Sequence, residues 1–271
     1  MRYLIVLSLI LVCFTACRKS VRELDTSTKA STDEVYCDNF LSKTFLIIDE
    51  AAKLEFGIIS AYSTNYLTCA TVTSSLINPT KTITIDFGSA GCTGDDGRVR
   101  KGALQVTITN GNYQDPNALI NVNPVDFYVD DFKVEGSFDF TNKGLNANGN
   151  QYYKAQVNNV KLFDGITQRP IYWTFLGDFE QTSGATTTTD VSDDVYTLTG
   201  ESDGTSRSGN TFSADITTGL SVNLSCRYIP TGKMTLTPTN LVDRKLDFGS
   251  GVCDSLVVAT IHETQYVVNQ E

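Results

Sequence analysis

Most of the chain alternates between apolar and polar residues with a period of two. Ile83, Ile85 and Phe87 alternate with polar residues, and the same spacing returns along the chain as far as Ile261. This alternation is typical of strands with one buried face. Clusters of Asn, Asp and Gly, such as residues 110–112, separate the apolar runs and predict turns. We therefore predict an all-β protein, built as an antiparallel β-sandwich or as a stacked meander.

Residues 33–57 follow a helical period instead. Apolar residues recur there every three or four positions on both sides of Phe45. Ser31 and Thr32 are candidate N-cap residues, and Gly57 is a typical C-terminal stop. We predict one helix that packs its apolar face on the β region, because a lone helix of this composition is marginal in water.

The first apolar run of the chain lies between Arg2 and Cys17 and is about a dozen residues long, whereas a transmembrane helix needs about 20. A positive start, a short apolar run and small residues at its end are the layout of a secretory signal peptide, here residues 1–16. A cysteine at the cleavage point resembles the acylation site of bacterial lipoproteins. We therefore predict that Cys17 is lipidated and anchors the protein to a membrane. Cys13 is the alternative acceptor, and secretion without a lipid is the alternative fate.

Two segments of the chain match each other. Residues 86–92 read DFGSAGC, and residues 247–253 read DFGSGVC. A Leu-x-Cys triplet precedes each copy, and its cysteine lies 23 positions before the last cysteine of the first copy and 27 before that of the second. The repetition predicts two related β units with one disulfide in each. The predicted pairs are Cys69–Cys92 and Cys226–Cys253.

The duplication and the helix divide the chain into segments. Residues 17–32 contain the acylated cysteine and a polar stretch that we expect to be a flexible tether. Residues 58–271 form the duplicated β domain, with units of about 58–165 and 166–271. Cys37, in the predicted helix, is left without a partner. It is either a small buried side chain, or a reactive thiol or intermolecular bridge.

The charge balance excludes one class of partner. The chain carries 21 basic and 31 acidic residues, a net charge of −10. Removal of the signal peptide takes away one basic residue and makes the net charge −11. An acidic chain without clusters of Lys and Arg repels phosphate groups, so we exclude nucleic-acid binding. The cysteines of an exported chain are expected to form disulfides in an oxidising compartment.

Two strings of the sequence resemble a known family. They are TITIDFGSAGCTGDDGRVRKGALQVTIT, residues 82–109, and RKLDFGSGVCDSLVVATI, residues 244–261. They are similar to the signature of lipoproteins of unknown function from Bacteroidetes-type bacteria. The resemblance implies an acylated leader, a short helical segment and β structure with two cysteine motifs, and it implies no activity or cofactor. It also implies attachment to the outer membrane of a Gram-negative bacterium, facing the periplasm or the cell surface. Arg18 and Lys19, directly after the predicted lipid site, favour the periplasmic side.

Candidate catalytic and metal-binding groups are few. His262, the single histidine, lies beside Glu263 in the last apolar region, and one histidine with paired cysteines leaves too few ligands for zinc. Acidic doublets could supply the paired carboxylates of a glycosidase, but Asp is also typical of turns. Residues 93–97 form one candidate calcium site, and Asp190 with Asp193-Asp194 forms a second. For both segments a plain acidic turn is the favoured alternative. The doublets are Asp95-Asp96, Asp130-Asp131 and Asp193-Asp194.

Two aromatic doublets are candidates for glycan binding. In Tyr152-Tyr153 and Tyr172-Trp173, adjacent strand residues point to opposite faces, so one member of each pair could be exposed. Packing within the sheet is the alternative.

Together these features predict an exported, lipid-anchored cell-envelope protein with a binding or structural role. We expect no enzyme activity, cofactor or bound metal, and two kinds of partner: the membrane through the lipid, and a glycan or another envelope protein. One alternative is a polysaccharide-processing enzyme that uses paired carboxylates. Another is an assembly or adhesin subunit that exposes a long unpaired strand edge.

Overall fold

A computed structural model describes residues 25–60 and 66–270 of the chain. The predicted signal peptide, residues 1–16, and Cys17 lie outside the described residues. One helix, α1, spans Lys29–Glu55, and the rest is antiparallel β structure. The strands are β1 Thr71–Ile77, β2 Thr80–Asp86, β3 Cys92–Thr93, β4 Val99–Thr109, β5 Leu119–Val129, β6 Phe132–Leu145, β7 Gln151–Asp164, β8 Arg169–Ser183, β9 Val195–Thr205, β10 Thr211–Thr218, β11 Leu220–Asn223, β12 Thr231–Pro238, β13 Arg244–Ser250, β14 Leu256–Ile261 and β15 Thr264–Asn269.

The described strands belong to a single sheet. Its order is β1-β2-β4-β5-β6-β7-β8-β9-β10-β12-β13-β14-β15, with β3 beside β4 and β11 beside β9. Almost every strand pairs with the next one along the chain, so the sheet is a long meander. The all-β class with one N-terminal helix is confirmed, and of the two architectures predicted, the meander forms rather than the sandwich. The boundary proposed near residue 165 lies in the turn between β7 and β8, and the hydrogen-bond ladder continues across it.

The helix lies inside the sheet rather than on one side of it. Every residue of α1 from Ala30 to Lys53, except Thr32, is buried. Strands from both ends and from the middle of the meander contact it. A single sheet has one apolar face to bury, and without a second sheet the central helix covers that face. A helix that is buried all round has no polar face for solvent, so its charged residues need partners from the strands.

Aromatic side chains form the contact between helix and sheet. Phe45, at the middle of α1, stacks on Phe179 with ring centroids 4.2 Å apart. Three more rings surround it at centroid distances of 5.0 to 5.4 Å. They belong to Phe140, Tyr153 and Tyr196. The helical periodicity around Phe45 therefore marks the centre of the core.

The helix begins earlier than predicted and ends where Gly57 predicts. The helix begins at Lys29, and Thr28 is the N-cap without a side-chain hydrogen bond. The predicted caps Ser31 and Thr32 lie inside the first turn instead. Tertiary burial extends the helix by one turn beyond the sequence signal, into the stretch predicted to be a tether. At the other end, Gly57 has a φ of +69° and its amide donates to a carbonyl of the last helical turn, as a C-terminal glycine should.

The last residues before the helix are also held by the fold. Asp25 and Arg244 form an ion pair at 2.6 Å, and Arg244 also donates to the carbonyl of Ser27. Arg244 belongs to β13, so the segment that leads into α1 is attached to the sheet. Of the predicted tether, residues 17–32, the part from Asp25 onward is thus structured.

A close approach of two strands requires glycine at the centre of the sheet. Gly177 of β8 lies opposite Gly200 of β9. A Cβ atom on Gly177 would lie 2.0 Å from the carbonyl oxygen of Thr199, and the ring of Phe175 covers the same place. Glycine in a strand interior marks such close approaches and lets a strand bend, which suits a sheet that surrounds a helix. No helix in the described part of the chain is long and apolar enough to span a membrane.

Candidate functional site

The two copies of the DFGS motif adopt the same local structure. In the first copy the amide of Gly88 donates to the Asp86 carboxylate over 2.7 Å, and in the second the amide of Gly249 donates to Asp247 over 3.0 Å. Both glycines have positive φ, +76° and +104°. The aspartate thus forms a turn with its own backbone, at the last residue of β2 in the first copy and within β13 in the second. The motif has a structural explanation in both copies.

The cysteines occupy the places that the duplication predicts. Cys69 is bonded to Cys92, with Cα atoms 5.9 Å apart, and Cys226 is bonded to Cys253, with Cα atoms 5.5 Å apart. Each disulfide closes one hairpin, β1–β2 or β12–β13. Cys37 is a free thiol, completely buried in the helix. Burial, together with nearby carboxylates, raises the pKa of that thiol well above its ordinary value, so it packs as a small apolar residue.

Two of the acidic doublets contribute ion pairs to the region between β3 and β4. Asp96 binds Arg100 through both carboxylate oxygens, at 2.9 and 2.5 Å. The Arg100 guanidinium holds the pKa of Asp96 below its ordinary value, against the effect of burial. Asp130 accepts a 2.9 Å hydrogen bond from Arg98, which also donates to Asn39 of the helix. Both doublets therefore have a structural role in closing the sheet around the helix.

The third doublet belongs to a buried network at the C-terminal end of the helix. The Lys53 ammonium lies 2.8 Å from Asp49 and 2.7 Å from Asp194. Tyr113 and Tyr196 donate to the two oxygens of Asp49 over 2.6 and 3.1 Å. Burial alone would lower the pKa of Lys53, but the two carboxylates hold it above its ordinary value. Every charge in this network has a partner, which a buried charge requires.

The N-terminal half of the helix carries acids that are less well paired. Glu34 accepts a 2.8 Å hydrogen bond from the Trp173 indole and another from Ser202. Complete burial raises the pKa of Glu34 to about 7. Both carboxylate oxygens of Asp38 are buried without a hydrogen-bond partner among the described residues. Burial and the neighbouring Glu34 raise the pKa of Asp38 well above its ordinary value, so the neutral acid is favoured.

The candidate metal sites and the histidine are placed at turns. His262 and Glu263 are exposed and form the turn between β14 and β15, both with positive φ, so the histidine lies outside the strand rather than within it. Asp190 accepts a backbone hydrogen bond from Ser192. In residues 25–60 and 66–270, no three side chains of His, Cys, Asp or Glu lie close enough together to hold a metal ion.

The two aromatic doublets separate into inner and outer members. Trp173 is 1% exposed, whereas its neighbour Tyr172 is 43% exposed. Tyr153 is buried beside the helix, and Tyr152 is partly exposed. The alternation expected for strand residues is thus present in both doublets, and Tyr172 is the most exposed aromatic side chain of the four.

Tyr172 lies in a groove on the outer face of the sheet. The groove has a volume of about 620 Å³ and is formed by β8, β9, β10, β12 and the turn after β12. Most of the side chains around the tyrosine carry a hydroxyl, amide or carboxylate group. They include Asn159, Thr174, Asp203, Thr205 and Thr237. The arrangement combines one aromatic surface with many hydrogen-bonding groups, and no such combination is required by the core.

The groove continues into a second recess with three carboxylates. This recess, of about 360 Å³, shares Asp203 with the groove and adds Glu201 and Asp215. Glu201 lies directly opposite Asp215 in the pairing of β9 with β10. Like charges opposite each other destabilise a sheet, and among the described residues none of the three carboxylates has an ion pair or a side-chain hydrogen bond. Folding does not account for them. We call the groove and this recess together the outer groove.

The sequence indicated the doublet Tyr172-Trp173 without choosing its exposed member, and it did not indicate the carboxylates of the outer groove. Glu201 and Asp203 stand two positions apart in an alternating segment, so their shared face could have been read from the sequence. The opposition of Glu201 and Asp215 depends on strand register, which the sequence does not state. Comparisons with protein-family models, with curated proteins and with solved structures returned no match.

Proposed function

We propose that this protein is an exported, lipid-anchored cell-envelope protein whose outer groove binds a glycan. The observation that carries the proposal is the exposed Tyr172 ring within a groove of hydroxyl, amide and carboxylate groups. An aromatic face packs against the apolar face of a sugar ring, and polar groups around it hydrogen-bond to the sugar hydroxyls. Sugars are the class of ligand that presents both kinds of surface together.

Charge narrows the class of glycan. Glu201, Asp203 and Asp215 make the recess acidic, and the chain as a whole carries a net charge of −10. An acidic site repels uronic acids and sulfated sugars and favours neutral sugars or sugars with an amino group. The proposed ligand is therefore a neutral or amino-bearing polysaccharide segment.

The anchor is proposed from the sequence and from the cysteine chemistry. The leader, residues 1–16, is followed by Cys17 as the lipid acceptor. Between residues 25 and 270, the described cysteines form two disulfides and leave one buried thiol, which is consistent with an oxidising compartment. We place the protein on the outer membrane of a Gram-negative bacterium, as its resemblance to envelope lipoproteins implies.

A glycan array tests the binding proposal. The chain from residue 17 to residue 271, with Cys17→Ser to prevent acylation, is expected to bind neutral or amino-bearing glycans and not uronic-acid polymers. Tyr172→Ala should abolish the signal. Leu176→Ala is the matched control, because Leu176 lies on the same strand and face with 41% exposure, beside Glu201 but not among the side chains that line the outer groove. A wild-type protein that binds nothing, or a Leu176→Ala variant that loses binding equally, contradicts the proposal.

The same preparation tests the enzyme alternative. Paired carboxylates in a glycosidase release reducing ends from the polysaccharide. We expect that the glycan identified on the array remains intact after long incubation with the protein. Release of reducing ends that Asp203→Asn abolishes would support the polysaccharide-processing enzyme instead.

The anchor has a separate test. Metabolic labelling with a radioactive fatty acid should mark the wild-type protein and a Cys13→Ser variant, and should leave a Cys17→Ser variant unmarked. Label that persists in Cys17→Ser and disappears in Cys13→Ser would move the acceptor to the alternative cysteine.

A further inference from the structure

The sheet ends in two free edges. Among the described strands, β1 pairs only with β2, and β15 pairs only with β14. An edge strand presents unpaired backbone N–H and C=O groups that can pair with another chain. Natural proteins protect such edges with charged side chains, proline or bulges.

The outer edge of β1 lacks this protection. Its sequence, TVTSSLI, contains no charged residue and no proline, and its pairing with β2 runs without a bulge. Side chains on both faces of the strand reach solvent, and Leu76 and Ile77 are 69% and 80% exposed. The other edge strand, β15, also has no charged residue and no proline, but it differs because Val268 and the following Gln270 are buried, so its end is held in the core.

The strand is complementary to a second copy of itself. Antiparallel pairing of two copies centred on Ser74 places Val72 opposite Leu76 and Thr71 opposite Ile77. Each pair then joins apolar or β-branched side chains, which are the favourable cross-strand partners. The paired segment has no charge of its own, and the Glu55 carboxylate that Ser74 contacts near the axis is paired with Lys81 of the same copy. The same segment serves both copies, so the contact closes on a two-fold axis.

Charge and area indicate where and how strongly two copies associate. A net charge of −10 opposes the approach of a second copy over most of the surface, whereas β1 is uncharged. One seven-residue strand covers less than the roughly 800 Å² per partner of a stable interface. The contact is therefore weak in dilute solution and is strengthened by anchoring in a membrane, which raises the effective concentration.

We infer that β1 is an interface between two copies of this chain, paired antiparallel with Ser74 at the two-fold axis. The inference does not depend on glycan binding, since the outer groove lies on β8 to β12 and leaves β1 uncovered.

Crosslinking by an introduced cysteine tests both the contact and its register. Directly opposed Cα atoms lie about 4.5–5.5 Å apart in an antiparallel pair, within reach of a disulfide. The full chain with its native leader and Ser74→Cys should therefore run as a dimer on a non-reducing gel. Ile77→Cys is the control, because the two copies of that residue lie about 20 Å apart in this register. Dimers from Ile77→Cys in equal yield, or none from Ser74→Cys, overturn the inference.

Charge substitution gives a second test without new cysteines. In the chain 17–271 with Cys17→Ser, the double variant Thr73→Lys/Ser75→Lys sets a lysine opposite a lysine twice across the axis and should raise the dimer dissociation constant at least about fivefold by sedimentation equilibrium. Thr73 and Ser75 are exposed and point away from the face on which Ser74 donates to Glu55, so the lysines stay in solvent and the fold is kept. Val267→Lys, on the outer side of β15, should leave the constant unchanged. The opposite result, loss of association in Val267→Lys alone, overturns the inference in favour of the other edge.

Discussion

Two neighbouring residues of β8 show how differently the two faces of the sheet use polar groups. On the inner face, Trp173 donates its indole N–H to Glu34, and the acid is held by a second hydrogen bond from Ser202. On the outer face, the Tyr172 side chain has no hydrogen bond or ring contact among the described residues, although it stands in a groove with acids. The polar side chains on the inner face that form hydrogen bonds are explained by the fold, because buried polar groups need hydrogen-bond partners.

The difference separates residues that build the fold from residues that are free for binding. Lys53, Asp49 and Asp194 satisfy one another at the end of the helix. Glu201 and Asp215 oppose each other on the outer face, and no residue in the described part of the chain forms an ion pair with either of them. Residues that lower the stability of the fold and form no stabilising contact are typical of functional sites. Substitutions on the inner face should therefore change stability, and substitutions on the outer face should change binding.

The largest effect is expected from the buried ammonium group. Lys53→Met leaves Asp49 and Asp194 buried without their cation, and should lower the free energy of unfolding by about 3–5 kcal/mol. Urea unfolding followed by the fluorescence of Trp173, the only tryptophan, measures it. Lys233→Met is the control, because it breaks an ion pair with Asp247 on the surface, and should cost less than about 1 kcal/mol. Equal losses would refute the contrast between buried and exposed charges.

A pH dependence comes next, from Glu34. The folded carboxyl has a pKa of about 7 against an ordinary value of 4.5, so the folded state keeps a proton that the unfolded state has released. This stabilisation is complete below pH 4.5 and is lost as the pH rises towards 7. The negative charges of Asp203 and Asp33 also raise the pKa of Glu34, and Glu34 in turn raises the pKa of Asp38.

Glu34→Gln isolates this contribution. Glutamine keeps an acceptor for Trp173 and a donor for Ser202 but cannot ionise. The free energy of unfolding of the wild type, relative to Glu34→Gln, should fall by on the order of 1–3 kcal/mol between pH 4 and pH 8. Urea unfolding at a series of pH values measures the difference, and parallel stability curves for the two proteins would show that Glu34 is not held neutral.

The smallest effect is expected from Glu201→Lys, which should raise stability and weaken binding. Glu201→Lys replaces a like-charge pair by an attractive pair with Asp215, and should raise the free energy of unfolding by about 0.2–1 kcal/mol. It should also weaken binding of an amino-bearing glycan in the outer groove. Glu201→Gln removes the repulsion without adding an attraction, so its free energy of unfolding should lie between those of the wild type and Glu201→Lys. A destabilised Glu201→Lys variant would contradict the observed register of β9 and β10.

Local patterns gave the elements of this fold, because they depend on residues close together in the chain. The alternation around Ile83 and Ile85 predicted strands that do form, and Gly57 marked the end of the helix. The duplicated motif placed the cysteines of both disulfides. The sequence pattern predicts a helix with one apolar face. The structure shows instead a helix that is buried on all sides, with aromatic side chains around Phe45.

Long-range pairings could not be read from the sequence. Arg98 meets Asn39 across 59 positions, and Lys53 meets Asp194 across 141. The sequence alone allows catalytic or calcium-binding roles for the acidic doublets, because their basic partners are distant in the chain. The same distinction holds for the candidate site. Strand alternation predicts that one member of Tyr172-Trp173 is exposed. The acidic residues around it come together only through the pairing of three strands, which the sequence does not state.

The most direct test of the account measures binding and stability on the same two variants. The glycan selected on the array is titrated by calorimetry into Tyr172→Ala and Leu176→Ala, and both are unfolded in urea. We predict that Tyr172→Ala loses at least about tenfold in affinity, as expected for removal of a central aromatic contact, with unfolding free energies that differ by less than about 0.5 kcal/mol between the variants. Equal affinities in the two variants, or a loss of affinity that only accompanies a loss of stability, would contradict a binding site in the outer groove.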